Sequence, residues 1–290
     1  MRIVQISDFH FTRLTWNPFR LFSKRILGHL NWLFCRTHAF CEQILEDLPP
    51  LFEELKVDKI LLGGDFTTTA LKEEFEAAKR FVDKLSAPWL AIPGNHDVYT
   101  YRSHRKKLFY QYFQNEQESK AGSEWNRFKL AKDQVEIHQL DETYWLVSLD
   151  VCRATNVYSS RGLFSEEIEK TMKEALSLLP SHARIVVWSH YPFFQHDAHR
   201  RILKRGEKLK QILREDPRTC LFLHGHTHRN TIANLLPSHL PVVADSGSCA
   251  EKKHASWNLI DLTPVGCKIT AYQYQEGWKP SLIEEFLWKT

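Results

Sequence analysis

Five short polar clusters, each at the end of an apolar run, hold the side chains of this chain best suited to chemistry: Asp8-Phe9-His10, Gly63-Gly64-Asp65, Gly94-Asn95-His96-Asp97, Ser189-His190 and His224-Gly225-His226-Thr227-His228. Their donors are carboxylate and amide oxygens and imidazole nitrogens, without a thiolate, a set that suits manganese, iron or zinc. Two such ions about 3.5–4 Å apart orient a phosphate and turn a bound water into the nucleophile at neutral pH. Residues i and i+2 of an extended chain point the same way, so Asp8 and His10 are expected to grip one ion, and His226 and His228 repeat that arrangement around Thr227. Asp65 has two oxygens with which to bridge two ions, Asn95 adds a neutral amide oxygen, and His190 adds another imidazole. Taken singly, each histidine reads as a surface or hydrogen-bonded core residue, because the chain has fifteen of them. His29, His38, His104, His138, His182, His196, His199, His239 and His254 are left unassigned; the ordered set carries the inference.

A carboxylate presented after Ile60-Leu61-Leu62 and two glycines is what a buried parallel strand delivers at its carboxyl end, where open α/β sheets place their sites. Strands expected over residues 3–6, 60–62, 89–92, 185–188 and 220–223 each end at one of the clusters. Helices are expected over 42–55, interrupted by Pro49-Pro50, over 72–85 with Phe75, Ala78, Phe81, Val82 and Leu85 on one face, and over 166–179 and 207–214. Residues 98–117 read as partly helical. Alternating stretches at 135–140 and 144–150 are assigned to a different sheet, and 242–244, 257–262 and 267–273 add strands. Strand–helix alternation followed by strand-rich sequence places the chain in the α/β class, as a layered sandwich of two mixed β-sheets flanked by helices. With no repeat, low-complexity tract or linker, residues 1–290 read as one domain.

The bulk properties permit a large core: 290 residues, 43% hydrophobic and 12% aromatic. A net charge of +4 does not call for a nucleic-acid partner. Six scattered cysteines without a Cys-x-x-Cys pair read as buried thiols in a reducing compartment rather than as disulfides or a zinc site. A strand begins directly after Met1, leaving no room for a signal peptide, and no apolar run reaches the roughly 18 residues of a spanning helix. A cytoplasmic location is expected. There is no Gly-x-Ser-x-Gly elbow and no Gly-x-x-x-x-Gly-Lys phosphate loop.

Asp-x-His, Gly-Asp, Gly-Asn-His-Asp, a later His and Gly-His-x-His, in that order from Asp8 to His228, resemble the calcineurin-like metallophosphoesterase superfamily. The resemblance implies two mixed sheets flanked by helices and a pair of divalent ions, manganese first with iron or zinc as alternatives. It implies one ion held by Asp8, His10, Asp65 and His228 and a second held by Asp65, Asn95, His190 and His226. His96 would then stabilise the transition state or protonate the leaving oxygen, with Asp97 orienting it.

Residues 11–38 form an insertion directly after the first ligand pair, and so are expected to overhang the ions as a lid. Trp16, Phe19, Phe22 and Trp32 alternate there with Arg13, Arg20, Lys24 and Arg25, and no acidic residue occurs between Phe9 and Cys41. That composition fits an element lying against lipid and anionic headgroups, as opposed to a lid packed on the protein. The basic stretches 99–113 and 193–210 are expected near the same mouth. A membrane-leaning lid over such a site resembles the bacterial UDP-2,3-diacylglucosamine pyrophosphatases of lipid A synthesis. That resemblance implies a lipid-linked nucleotide sugar as substrate and peripheral association with the inner face of the membrane. A soluble cyclic-nucleotide phosphodiesterase and a nuclease are the alternatives within the superfamily, and a non-catalytic scaffold ranks last because every ligand position is filled.

Overall fold

The central strands are apolar on both sides because both of their faces are covered. The structure, a computed structural model, describes residues 1–13, 15, 25, 40–115, 124–195 and 197–288. Strands are numbered in chain order. β1 (Arg2–Ile6), β2 (Lys59–Leu62) and β3 (Trp89–Ala91) run parallel, and β12 (Ser256–Thr263), β13 (Gly266–Tyr274) and β14 (Trp278–Leu287) extend them antiparallel, in the order β14-β13-β12-β1-β2-β3. The second sheet is built from β4 (Val135–Gln139), β5 (Tyr144–Leu149), β7 (Arg184–Ser189), β9 (Thr219–His224), β10 (Ile232–Ala233) and β11 (Val242–Asp245), ordered β10-β11-β9-β7-β5-β4. β6 (Gly162–Leu163) and β8 (Leu203–Lys204) form a separate parallel pair.

Ile3, Leu61, Leu90, Leu146, Val186, Trp188, Leu221 and Leu223 meet between the two sheets. Their strand neighbours point outward under helices. Val4, Ile60 and Leu62 lie under α1 (Leu48–Glu54) and α2 (Lys72–Val82). Two short helices, α3 (Tyr101–Arg105) and α4 (Leu130–Asp133), lie in the connections that follow β3. Val147, Ile185, Val187 and Phe222 lie under α5 (Glu166–Ser177) and α6 (Gly206–Glu215). This period of two, with both sets buried, is the signature of strands sandwiched between layers. The expected layered α/β architecture of two mixed sheets and helices is the one observed.

Polar side chains also tie the two sheets: Asn258 of β12 donates to the Asp245 carbonyl (3.1 Å), Tyr144 of β5 donates to the Thr263 carbonyl (2.6 Å), and Gln5 makes two such bonds. Gln5 is buried on the inner face of β1 and donates across the interface to the carbonyls of His224 (2.8 Å) and Ala244 (3.1 Å), while its own oxygen accepts from Asn258 Nδ2 (3.0 Å). Both the amide nitrogen and the amide oxygen have partners, which is what lets an amide sit in a core.

Three local readings are corrected. Pro49-Pro50 does not interrupt a helix over 42–55: a 3₁₀ turn, Glu42–Asp47, ends there and the prolines sit in the first turn of α1, where a missing N–H costs nothing. β14 goes unexpected because Pro280 and mostly exposed residues hide its pattern. It is an edge strand, where proline is tolerated, and the register with β13 shifts between Ala271 and Tyr272. The third concerns the insertion. Trp16, Phe19, Arg20, Phe22, Lys24 and Trp32 lie outside the described residues. Phe11, however, is core, packed on Phe9 and Phe81. Arg25, expected to meet headgroups, donates from its guanidinium to the carbonyls of Thr69 (3.0 Å) and Ala70 (2.9 Å). Arg13 is likewise paired with Glu42 at 2.7 Å. Among the described residues no helix is long and apolar enough to cross a membrane, and Cys41, Cys152, Cys220, Cys249 and Cys267 are free thiols.

Gln5→Leu keeps the volume and removes two of the hydrogen bonds between the sheets. Urea unfolding is expected to show a loss of about 1–3 kcal/mol, the cost of leaving buried polar partners unsatisfied. An unchanged midpoint would show that the remaining cross-sheet contacts hold the packing without Gln5.

Candidate metal centre

The carboxyl ends of β1, β2, β3, β7 and β9 meet at one edge of the sandwich, and all seven expected ligand side chains come together there. Three groups have their ligand atoms within 4.8 Å of one another: Asp8, His10 and His228; Asp65, His190 and His226; and His10, Asp65 and His96. Asp65 and His10 link them, with Asp65 Oδ2 3.5 Å from His190 Nε2 and 3.9 Å from His10 Nε2. Asp8 Oδ1 lies 3.1 Å from His228 Nε2.

The backbone that achieves this is not extended. Asp8 (φ 58°), His10 (φ 52°), Asp65 (φ 55°), His226 (φ 69°) and His228 (φ 58°) are all left-handed, a region that non-glycine residues rarely occupy and that concentrates at functional sites. The i, i+2 expectation for Asp8 with His10, and for His226 with His228, is therefore right about convergence and wrong about its cause. Kinks on either side of Phe9 drive its ring into the core against Phe66 (5.0 Å) while its two neighbours face the site. Gly64 (φ 92°) and Gly94 let the loops after β2 and β3 touch: a Cβ on Gly64 would come within 2.8 Å of Gly94 Cα.

Hydrogen bonds fix which ring nitrogen points inward. His190 Nδ1 donates to the Gly63 carbonyl (2.8 Å), which leaves Nε2 as the nitrogen that would coordinate an ion. His226 Nε2 donates to the Arg201 carbonyl (3.0 Å), leaving its lone pair on Nδ1. His228 Nδ1 lies 3.1 Å from Glu251 Oε2, a carboxylate–histidine pair of the kind that orients metal ligands and raises their basicity. Phe40 sets its ring edge-on to His10 at 4.8 Å. Ser7 bonds Asp8 Oδ2, and Ser248, in the loop after β11, donates to the Asp8 carbonyl (2.7 Å).

His96 also reaches the cluster. Its backbone N–H donates to Asp65 Oδ1 (2.7 Å), and its Nδ1 donates to the Thr68 carbonyl (2.7 Å), which assigns Nε2 to substrate chemistry. The expectation that Asp97 orients this imidazole is corrected. Its carboxylate accepts from the backbone N–H groups of Phe66 (3.3 Å), Thr67 (2.9 Å) and Gly94 (2.9 Å), and so ties the loops after β2 and β3 together. Burial and the nearby Asp65 charge push its pKa up to about 7. The Thr68 loop is itself anchored by the buried Glu74 at the start of α2, which accepts from the N–H groups of Thr69 (2.9 Å) and Leu71 (3.0 Å).

The residues fit a pair of divalent cations. Asn95 Oδ1 and His190 Nε2 are buried with no hydrogen-bond partner, although an orphaned polar atom in a protein interior is costly. Burial opposes the charge on Asp8 and Asp65, yet neighbouring imidazoles, His228 for Asp8 and His190 for Asp65, hold both well below the usual carboxylate range. The reciprocal shifts follow: burial lowers the His190 and His228 pKa values, but Asp65 and Asp8 overcome it and raise them to about 9 and about 10. Protons thus hold the positions that cations would neutralise.

The sequence matches the family model of calcineurin-like phosphoesterases over residues 1–230. The chain belongs to that family, and it is a metal-dependent phosphoester hydrolase with a cluster of candidate metal ligands. A comparison with curated proteins gives no match. Among solved structures it is similar to a dimetal phosphatase from Danio rerio, with TM-score 0.64, 13% identity and 99% of each chain covered. Weaker likenesses include a zinc complex of Vps29 from Entamoeba histolytica, with TM-score 0.44, 12% identity and 100% of each chain covered. A phosphoesterase-related protein from Streptococcus pneumoniae gives TM-score 0.39 and 11% identity over 99% of this chain and 97% of the other.

Ser7, Glu251 and Ser248 escape sequence reasoning because none belongs to a ligand cluster; the one hint is that Ser7 adjoins Asp8. Glu251→Gln should weaken metal affinity about 10-fold or more by equilibrium dialysis, the scale of lost support to a ligand histidine. Retained affinity would make Glu251 a bystander. Binding must also release the protons on His190 and His228. Since both imidazoles are protonated below about 9 without metal, affinity should rise with pH from 6 to 9. Calorimetry in buffers of different ionisation enthalpy measures the released protons, and none released would contradict the assignment.

Proposed function

We propose that the chain hydrolyses the diphosphate of UDP-2,3-diacylglucosamine, giving the acylated sugar 1-phosphate and UMP, with manganese as the working ion. The observation that carries a hydrolytic reading is the complete ligand set with its buried Asp8–Asp65 pair. Divalent ions, when bound, polarise phosphoryl oxygens and lower the pKa of water. The chain's own part is positional and protic. Asp8, His10, Asp65 and His228 would hold one ion, and Asp65, Asn95, His190 and His226 the other. As water adds to phosphorus and the bond to the departing phosphate oxygen breaks, His96, fixed through Nδ1, brings Nε2 to the charge that develops there.

The lipid half of the reading rests on residues 11–38, whose mixture of large apolar and basic side chains directly follows Asp8-Phe9-His10. With Arg13 and Arg25 engaged in the protein, attraction to an anionic inner membrane leaflet falls to Arg20 and Lys24, at about 1 kcal/mol each, and the apolar contribution to Trp16, Phe19, Phe22 and Trp32. Peripheral membrane association in the cytoplasm is part of the same proposal. A soluble cyclic-nucleotide phosphodiesterase would use the same ions but would gain nothing from those aromatics, and a nuclease would bind with a steep salt dependence.

The test replaces Trp16, Phe19 and Phe22 with serine. With Mn2+, the parent should cleave the diacylated sugar nucleotide in preference to cyclic AMP or single-stranded DNA and float with anionic liposomes. The triple variant should lose most of its activity on the lipid and far less on a small chromogenic diester. Equal losses on both would show that the segment only supports the fold. No loss on either would favour the soluble phosphodiesterase.

A further inference from the structure

Next to the metal centre lies a second cavity of about 240 Å³, continuous with it through Asn95, His96, Ser160 and Arg201. Its outer wall is made by two loops of the second sheet, residues 153–160 after β5 and 199–201 after β7. They are zipped together: Ser160 N–H donates to the Arg200 carbonyl (3.0 Å) and Arg161 Nε to the His199 carbonyl (2.5 Å). The β6–β8 pair continues the seam, with Gly162 opposite Leu203. Of the basic stretch 193–210, Arg205 turns away to Glu166 and Glu169, whereas Arg200 and Arg201 line this groove.

Two properties of the groove are unexplained by packing. Arg201 is paired with Asp197 at 3.0 Å, but among the described residues neither Arg153 nor Arg200 has a hydrogen bond or ion pair for its guanidinium, and Arg153 Nε is buried. No acidic side chain among the described residues lines the groove. The rings are the second property. Tyr158 is 81% exposed at the rim, and Tyr99 stacks on the His96 ring at 5.6 Å and 19°. Two guanidinium groups lining one groove without a carboxylate suit a phosphate, and the exposed ring of Tyr158, with Tyr99 in the same lining, suits a flat heterocycle.

We infer that this groove is the subsite for the nucleoside monophosphate half of the substrate, with the phosphate on Arg153 and Arg200 and the base against the tyrosines. The inference rests on the diphosphate reading above. It makes the loop 153–160 a determinant of specificity separate from the metal ligands.

Titration calorimetry on the manganese-loaded protein with UMP, glucose 1-phosphate and inorganic phosphate tests it directly. UMP should bind at least about tenfold more tightly than either of the others. Arg153→Ala combined with Arg200→Ala should abolish that preference, and Tyr158→Ala should reduce it. Arg200→Ala alone, at an exposed position, keeps the test readable if the double variant does not fold. In inhibition of bis(4-nitrophenyl) phosphate hydrolysis, UMP should lose potency in the variants by at least about ten times more than phosphate does. Glucose 1-phosphate matching UMP, or UMP no tighter than phosphate, would overturn the assignment, as would an unchanged UMP affinity in the variants. A protein that prefers UMP through these residues yet leaves UDP-2,3-diacylglucosamine intact would uphold the groove and refute the lipid substrate.

Discussion

Hydrogen bonds from the buried side chains of Gln5, Asn258 and Tyr144 tie one sheet to the other, and the metal centre draws its residues from both. The site is divided between the sheets: Asp8, His10, Asp65 and Asn95 follow strands of the first, and His190, His226 and His228 follow strands of the second. A layer interface made only of aliphatic side chains tolerates sliding, because dispersion contacts have little directionality. A buried amide that reaches the His224 and Ala244 carbonyls and Asn258 does not. It lies on β1 three residues before Asp8, and one of its acceptors is the last residue of β9, just before the His226–His228 turn. One of the contacts that tie the layers is therefore next to the ligands whose meeting requires alignment.

The same edge of the sandwich concentrates unfavourable features that only a cation would repay. Two carboxylates are buried and kept ionised, five ligand residues are left-handed, and two polar atoms lack partners. Hydrogen bonds from the surroundings hold this arrangement in place. The Gly63, Arg201 and Thr68 carbonyls set three imidazoles, Glu251 sets a fourth, and Asp97 binds the loops to each other. The imidazole of His96 thus depends on a chain of contacts running back through Thr68 and Thr69 to Glu74 at the start of α2.

Much of this could be read from residue order alone. An apolar run that stops at Asp, Asn or His is visible without coordinates, and five such stops place the strand ends, the ligands and the layered fold. What stayed hidden has physical reasons. Glu251 sits between Ala250 and Lys252 in no pattern, and only the return of the chain from β11 to β12 brings it to His228. Asp97 adjoins His96 in sequence, which invites pairing, but the tight turn aims its carboxylate at backbone N–H groups instead. β14 carries Pro280 and a mostly exposed surface, so neither alternation nor a hydrophobic run marks it. Residues 153–160 are irregular and lack periodicity, although they form the wall of the groove beside His96.

That wall is attached to the second sheet through the short β6–β8 pair, while the ligands that it faces are distributed over both sheets. Exposed side chains in it, such as Arg200 and Tyr158, lie on no strand that carries a ligand, although the Arg201 carbonyl at its edge holds His226. With the groove in its proposed role, the architecture divides two evolutionary tasks, keeping the hydrolytic machinery under the constraint of the whole sandwich and giving recognition of the rest of the substrate to side chains of a peripheral loop pair. Descendants of such a chain can drift toward new phosphoesters one surface arginine or tyrosine at a time.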